Sequence, residues 1–201
     1  MTTRGAAGEA SPLRVPRRGR MATSGERHAE VITLASGIAL RDGRLLMVAS
    51  RYPNHPQPLW NLPGGRQLPG ELLCETVVRE FLEETGLRVD PGEIAYVSES
   101  YAEETHFLSV TFRVIVRQTQ DEGQADRGPS TEALRACVQG DRRRDDHVAE
   151  VAWVLLSEVA ERVAVAVVRE PLIAYLEKSL PQRYAGFHDA GVTIEWPPDS
   201  R

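Results

Sequence analysis

The 201-residue sequence predicts a mixed α/β sandwich, with strands on both sides of one central helix and another helix near the C-terminus. Three observations carry that expectation. Apolar, β-branched runs at 31–40 and 45–49 flank an Asp42-Gly43 turn, and residues 107–116 alternate with period two. Residues 71–86 place apolar side chains at helical spacing between Pro69-Gly70 and Gly86, and 170–180 form an amphipathic stretch opened by Pro171.

Taken in order, residues 1–28 are rich in Gly, Ala, Ser, Arg and Pro without an apolar period, so they read as a disordered tail, with Met21 an alternative start. Arg14, Arg17, Arg18 and Arg20 are not followed by the apolar stretch of about 7–15 residues that a secretory signal needs. The run at 31–40 suits a buried strand, and the Asp-Gly turn joins it to 45–49 as a hairpin. Three prolines make 51–58 a loop. The central helix begins near Glu71 and stops at Gly86, and 94–100 and 107–116 are two further strands. Residues 118–146 are polar, contain Gly123 and Gly128-Pro129, and read as a long insertion with a short helix at 131–138. A strand at 148–155 follows, then a short helix capped by Ser157-Glu158 and the helix at 170–180. The folded domain is thus 29–180, and 181–201 is a C-terminal extension.

Composition narrows the function classes. Twenty-four basic against 29 acidic residues give a net charge of −5, which argues against a binder of polymeric nucleic acid. No apolar run approaches the ~18–20 residues of a membrane span. Cys74 and Cys137 supply neither a disulfide framework nor a zinc spacing, so a reducing, cytoplasmic location is expected.

The chemistry concentrates at 64–87. With Glu80 at 0° on a helix of about 100° per residue, Glu84 falls at about 40° and Glu83 at about −60°, while Cys74, Val77, Val78, Phe81 and Leu82 spread around roughly 130°. One stripe should enter the core and the other should carry three carboxylates. Glu80 and Glu84 repel as an i,i+4 pair, Glu75 and Arg79 attract, and a magnesium ion among the carboxylates would relieve the rest. Three glutamates alone would read as a solvated face. The whole spacing overrides that: Gly-x5-Glu-x7-Arg-Glu-U-x-Glu-Glu-x-Gly-U, with U bulky and apolar, matches at every constrained position. At about 7% per fixed residue, a chance match is on the order of one in a million or less.

These residues resemble the signature of the Nudix hydrolases, the box at 65–87, with softer likeness over 29–180 that includes Trp60-Asn61-Leu62-Pro63-Gly64 before it and Glu150-Val151-Ala152-Trp153-Val154 after it. Leu68 stands where many members carry an acid, which leaves the box intact. The resemblance implies an α/β/α sandwich with a mixed sheet and the box as loop–helix–loop. It also implies Mg2+- or Mn2+-dependent attack of water on a diphosphate linkage of a nucleoside diphosphate derivative or nucleoside triphosphate, oxidised ones included. On that resemblance Glu80 and Glu84 are metal ligands, Glu83 is a third ligand or the general base, and the Gly64 carbonyl completes a metal shell. Arg79 orients carboxylates, with Glu71 its partner or, on the competing reading, Glu75. Gly65, Glu71 and Gly86 are structural in the box.

Outside the box the expectations are thinner. Arg51 and Arg66 are candidate phosphate contacts. Glu103, Glu104, His106 and Glu150 are candidates for a distant base or a substrate contact, against solvated surface. Trp60 either stacks a base or packs in the core, and Cys74 is a buried small residue. Tyr101 lies near the tyrosine of dinucleoside polyphosphate hydrolases, but the proline of ADP-ribose hydrolases and the NADH-type motif are missing. The alternative is a catalytically weak Nudix module that binds ADP-ribose or a nucleotide as a regulator, although its box would be expected to be degenerate. An isopentenyl diphosphate isomerase would need a cysteine in the sheet, which neither cysteine supplies. A small-molecule nucleotide is the expected partner, and a homodimer accords with the family.

Overall fold

The first apolar run is divided between two sheets, and that division builds the sandwich. The computed structural model describes residues 30–117, 147–180, 183–193 and 195. In one sheet β1 (Glu30–Ile38) lies between antiparallel β5 (Gly64–Arg66) and parallel β7 (Thr105–Val116), and the sheet continues through β6 (Val89–Ala102) to β9 (Tyr184–Phe187). The other is built on β3 (Arg44–Ser50), which pairs with β2 (Leu40–Arg41), β4 (Leu59–Asn61) and, along its whole length, β8 (Val148–Leu155). Among the described residues three α-helices complete the fold: α1 (Leu73–Thr85), α2 (Val159–Arg162) and α3 (Ala166–Leu176).

The layering follows from the side chains of β3 and β8. Leu46, Val48, Val151 and Trp153 join Val77 and Phe81 of α1 in one core, while Leu45, Met47, Ala152 and Val154 join Val159 of α2 and Leu172 of α3 in the other. Both faces of these strands are covered, which is why they read as continuous apolar runs. The result is the α/β/α sandwich that the family resemblance implies.

Several expectations are corrected. The run at 31–40 is not one strand of a hairpin with 45–49: it breaks at Ala39, and only Leu40 and Arg41 pair with β3, across a turn in which Asp42 and Gly43 have φ 48° and 68°. β-branched composition marks a buried strand but carries no information about its distant partner, which for β1 is β7. The box helix starts at Leu73 rather than near Glu71, because the Glu71 carboxylate accepts hydrogen bonds in the preceding loop. At its other end Gly86 adopts φ 73° and its N–H donates to the Leu82 carbonyl, as a C-terminal glycine should. The C-terminal helix is Ala166–Leu176, with Pro171 buried inside it rather than opening it. The missing N–H costs one helical hydrogen bond, and Leu172, fully buried, offsets the loss. Ser157 makes no side-chain cap; a 3-10 turn at Leu156–Glu158 leads into α2.

Strands β4, β5 and β9 are only three or four residues long, too short for a periodic signal, and were not anticipated. Strand 148–155 agrees with expectation, and 94–100 extends to Val89–Ala102. The tail at 1–28, the insertion at 118–146 with its helix at 131–138, Cys137 and residues 196–198 lie outside the described residues. Among the described residues no helix is long and apolar enough to cross a membrane.

Candidate active site

The box folds as a strand, a loop and a helix that turn four carboxylates and one guanidinium toward each other. Gly65 in β5 lies directly against α1: a Cβ placed there would fall on the Glu80 carboxylate. Only glycine lets the strand backbone approach that closely. Next to it the Gly64 N–H donates to Glu84 Oε2 at 2.8 Å, tying β5 to the last turn of the helix.

Arg79 is the hub. Its Nε and Nη2 donate to the two oxygens of Glu71 at 2.7 and 3.1 Å, and Nη1 donates to Glu80 Oε1 at 2.8 Å and Glu83 Oε2 at 2.9 Å. Nη2 also donates to the Arg66 carbonyl at 2.9 Å. Glu75 is not its partner; that carboxylate accepts the Leu72 N–H at the helix start. The fork contact with Arg79, with further donors in the Leu68 N–H and the Thr76 hydroxyl, pulls the Glu71 pKa down from 4.5 to about 2. Burial works against the Arg79 charge, but Glu71, Glu80 and Glu83 outweigh it and raise its pKa.

Two of the three carboxylates of the stripe are buried. Glu80 and Glu84 are 6% and 2% exposed, whereas Val78 and Leu82, expected in the core, are 36% and 42% exposed. With Thr76, Val77, Phe81 and Thr85 also buried, the inward face of α1 is rotated by about 80° toward the glutamates. Gly64 and Gly65 of β5, 15 to 20 positions back in sequence, lie against them. Burial and then the neighbouring Glu84 charge push the Glu80 pKa up from 4.5 to about 7, against the pull of Arg79. Two further groups close on Glu84: His147 Nε2 lies 3.6 Å from its Oε1, and burial together with the Glu84 charge raises the pKa of Tyr52.

A cavity of about 650 Å³ opens over this cluster. Glu80, Glu83, Glu84, Arg79, Gly64, Gly65 and Arg66 line it, together with Tyr52, Asn61 and His147, which sequence reasoning did not single out. Tyr52 lies in the proline-rich loop at 51–58 and His147 just follows the polar insertion at 118–146, so nothing local marks either one. Burial lowers the pKa of Arg66, against the Glu30 charge. Arg51 is exposed and does not line the cavity. Trp60 also stays outside it, packing against the second core with the Arg162 guanidinium 5.2 Å from its ring centre. His106 pairs with Glu99 at 2.8 Å and stacks on Tyr101, while Glu99 and Glu103 line the cavity rim. Glu104 is exposed, Glu150 is half-buried opposite Ala49, and Cys74 is half-buried with a free thiol.

The model of the NUDIX domain matches residues 32–176. The chain belongs to the NUDIX family. Among curated relatives, a Mycobacterium tuberculosis protein named as a mutator protein, MutT4, is 30% identical over 172 residues, covering 80% of this chain and 62% of its own length. A Bacillus subtilis protein named as an 8-oxo-dGTP diphosphatase is 47% identical over 49 residues, 24% of this chain and 31% of its own length. The chain therefore spans less than two thirds of the length of either relative. A NUDIX hydrolase structure from Nitrosomonas europaea superposes with a TM-score of 0.58 at 20% identity, covering 75% of this chain and 91% of its own. A MutT protein from Methanosarcina mazei does so with 0.55 at 20% identity, over 77% and 99%. At that identity the likeness is one of NUDIX fold.

NUDIX hydrolases generally need a divalent metal ion. The donor chemistry here suits one: Glu80 and Glu84 are hard oxygen donors buried side by side, with repulsion that a divalent cation would remove. As the side chains stand, no three His, Cys, Asp or Glu groups among the described residues form a metal cluster, since Glu83 is turned to Arg79.

Proposed function

We propose that this NUDIX protein is a metal-dependent pyrophosphohydrolase that cleaves the diphosphate linkage of a nucleoside triphosphate, oxidised ones included, or of a nucleoside diphosphate derivative. The observation that carries the reading is the pair Glu80 and Glu84, buried beside each other under a cavity of nucleotide size with one guanidinium holding Glu80 and Glu83 in place. The names of the two curated relatives support a nucleotide substrate.

Glu80 and Glu84 would hold Mg2+ or Mn2+, with the Gly64 carbonyl beside them and Glu83 joining if it leaves Arg79. Bound there, the cation supplies charge neutralisation for the diphosphate and a water of lowered pKa. The protein's own part is positioning and proton transfer. Arg79 fixes the orientation of Glu80 and Glu83, and Glu71 fixes Arg79. Glu83, whose side chain is 37% exposed, is the carboxylate most free to take the proton of the attacking water. Arg66, lining the cavity from β5, offers a cation to phosphate oxygens.

The test is hydrolysis of a panel of canonical and oxidised nucleoside triphosphates and nucleoside diphosphate derivatives, with Mg2+ and with Mn2+. Release of pyrophosphate or of a nucleoside monophosphate from at least one is expected. No turnover on any substrate with either metal would overturn the assignment.

A further inference from the structure

Residues 184–193 and 195 lie beyond the stretch that matches the family model, which ends at 176, yet three of them, Ala190, Val192 and Thr193, line the cavity. The segment is anchored at three places. β9 pairs in parallel with β6, Val97 opposite Tyr184 through Ser100 opposite Phe187, and the Tyr184 hydroxyl donates to Glu99. Further on, the Ala190 N–H donates to the Tyr101 carbonyl at 2.8 Å. The chain then crosses to the proline-rich loop on the other sheet, where the Asn54 side chain grips it on both sides. Asn54 Nδ2 donates to the Thr193 carbonyl at 2.6 Å, and the Glu195 N–H donates to Asn54 Oδ1 at 3.1 Å. An amide that donates and accepts in this way copies a rung of a β-ladder. His55 Nε2 lies 3.1 Å from the same Thr193 carbonyl.

The segment therefore straps the two sheets together beside the site, with Ala190, Val192 and Thr193 as its cavity-lining residues. Their chemistry differs from that of the box. The box side of the cavity is anionic and held for phosphate chemistry; the three strap residues that line it are small, uncharged and largely apolar, with Val165 and Val168 at the start of α3 also on the lining and Glu103 beside Val192 and Thr193 at the rim. An elongated ligand whose diphosphate is held at the carboxylate end through a cation bound by Glu80 and Glu84 needs an uncharged, less polar group at its other end to meet that wall.

We propose that this strap, through Ala190, Val192 and Thr193, is the substrate-selecting wall of the cavity, receiving the nucleobase and setting the size that fits. This rests on the nucleotide-hydrolase reading above, because it is the nucleotide that has a charged end and a flat uncharged one. In a pocket bounded by apolar side chains, added bulk rejects a ligand by steric overlap, and a difference of one or two carbons already shifts selectivity by roughly tenfold or more.

Two full-length variants test the wall from opposite directions. Val192→Trp fills it, and Asn54→Ala, on an exposed loop, releases it without touching the cavity floor. Affinities for non-hydrolysable α,β-methylene purine and pyrimidine nucleotides are measured with Mg2+ present, alongside kcat/KM for the hydrolysable counterparts. Val192→Trp should weaken purine relative to pyrimidine binding by roughly tenfold, and Asn54→Ala should shrink whatever base preference the wild type has. Equal changes for every base, or none, would overturn the inference while leaving hydrolysis intact. Base selectivity that follows the strap in binding, with no turnover on any nucleotide, would support the wall and overturn the hydrolase reading. Absence of nucleotide binding by the wild type would overturn the wall.

Discussion

Arg79 reaches back eight residues to Glu71 and takes both of its carboxylate oxygens, so the loop before the helix and the guanidinium on it form one rigid unit. Glu71 does not line the cavity; its work is to aim Arg79 at Glu80 and Glu83. Lysine cannot make the fork contact, so Arg79→Lys should lose about 1–3 kcal/mol of stability in urea unfolding and lower kcat more than it raises KM. Glu71→Gln should move both in the same direction, less far. If Arg79→Lys left kcat unchanged, the positioning role would be wrong.

The buried carboxylates give a second expectation, on metal dependence. Hydrolysis should vanish in EDTA and return with Mg2+ or Mn2+. Glu80→Gln and Glu84→Gln should cut turnover by orders of magnitude and weaken metal binding in calorimetry, while thermal melting in EDTA holds or rises as like-charge repulsion is removed. Full activity in chelator would sink this reading.

Proton linkage makes the same site visible without substrate. An acid whose pKa rises from 4.5 to about 7 on folding keeps its proton in the folded state where the unfolded chain has released it. Glu80 therefore subtracts stability progressively as pH climbs from about 4.5 to about 7. Glu71 has the opposite sign: lowered to about 2, it contributes stability that is complete above about 4.5 and lost as pH falls toward 2. In chelator, the stability of wild type relative to Glu80→Gln should fall across pH 4.5–7 in denaturant titrations. A pH-independent difference would contradict the burial of Glu80.

The helix core offers a fourth test, because two apolar neighbours have different fates. Phe81 is fully buried and Leu82 is 42% exposed. Phe81→Ala should cost about 3–5 kcal/mol, and Leu82→Ala under about 1 kcal/mol. Equal losses in urea unfolding would restore the wheel reading in which both face the core.

That wheel shows where sequence reasoning ends. The type of α1, its stop at Gly86, the mixed α/β class and the box spacing that points to the NUDIX family are all written in local patterns: helical periodicity, a left-handed terminus, apolar runs. Such signals depend on residues within a few positions of one another, and they are legible in a single chain. So is the strand at 148–155.

Burial of Glu80 and Glu84 is different. It depends on Gly64 and Gly65 of β5 packing against a polar stripe, and no property of the helix itself distinguishes a covered carboxylate from a solvated one. The partnership of β1 with β7, the arrival of Tyr52 and His147 at Glu84, and the crossing of 190–195 onto Asn54 are likewise contacts between residues tens of positions apart. Pairing over such distances is decided by which whole arrangement buries the most apolar surface while satisfying the backbone, a property of the assembled sandwich and of no segment alone.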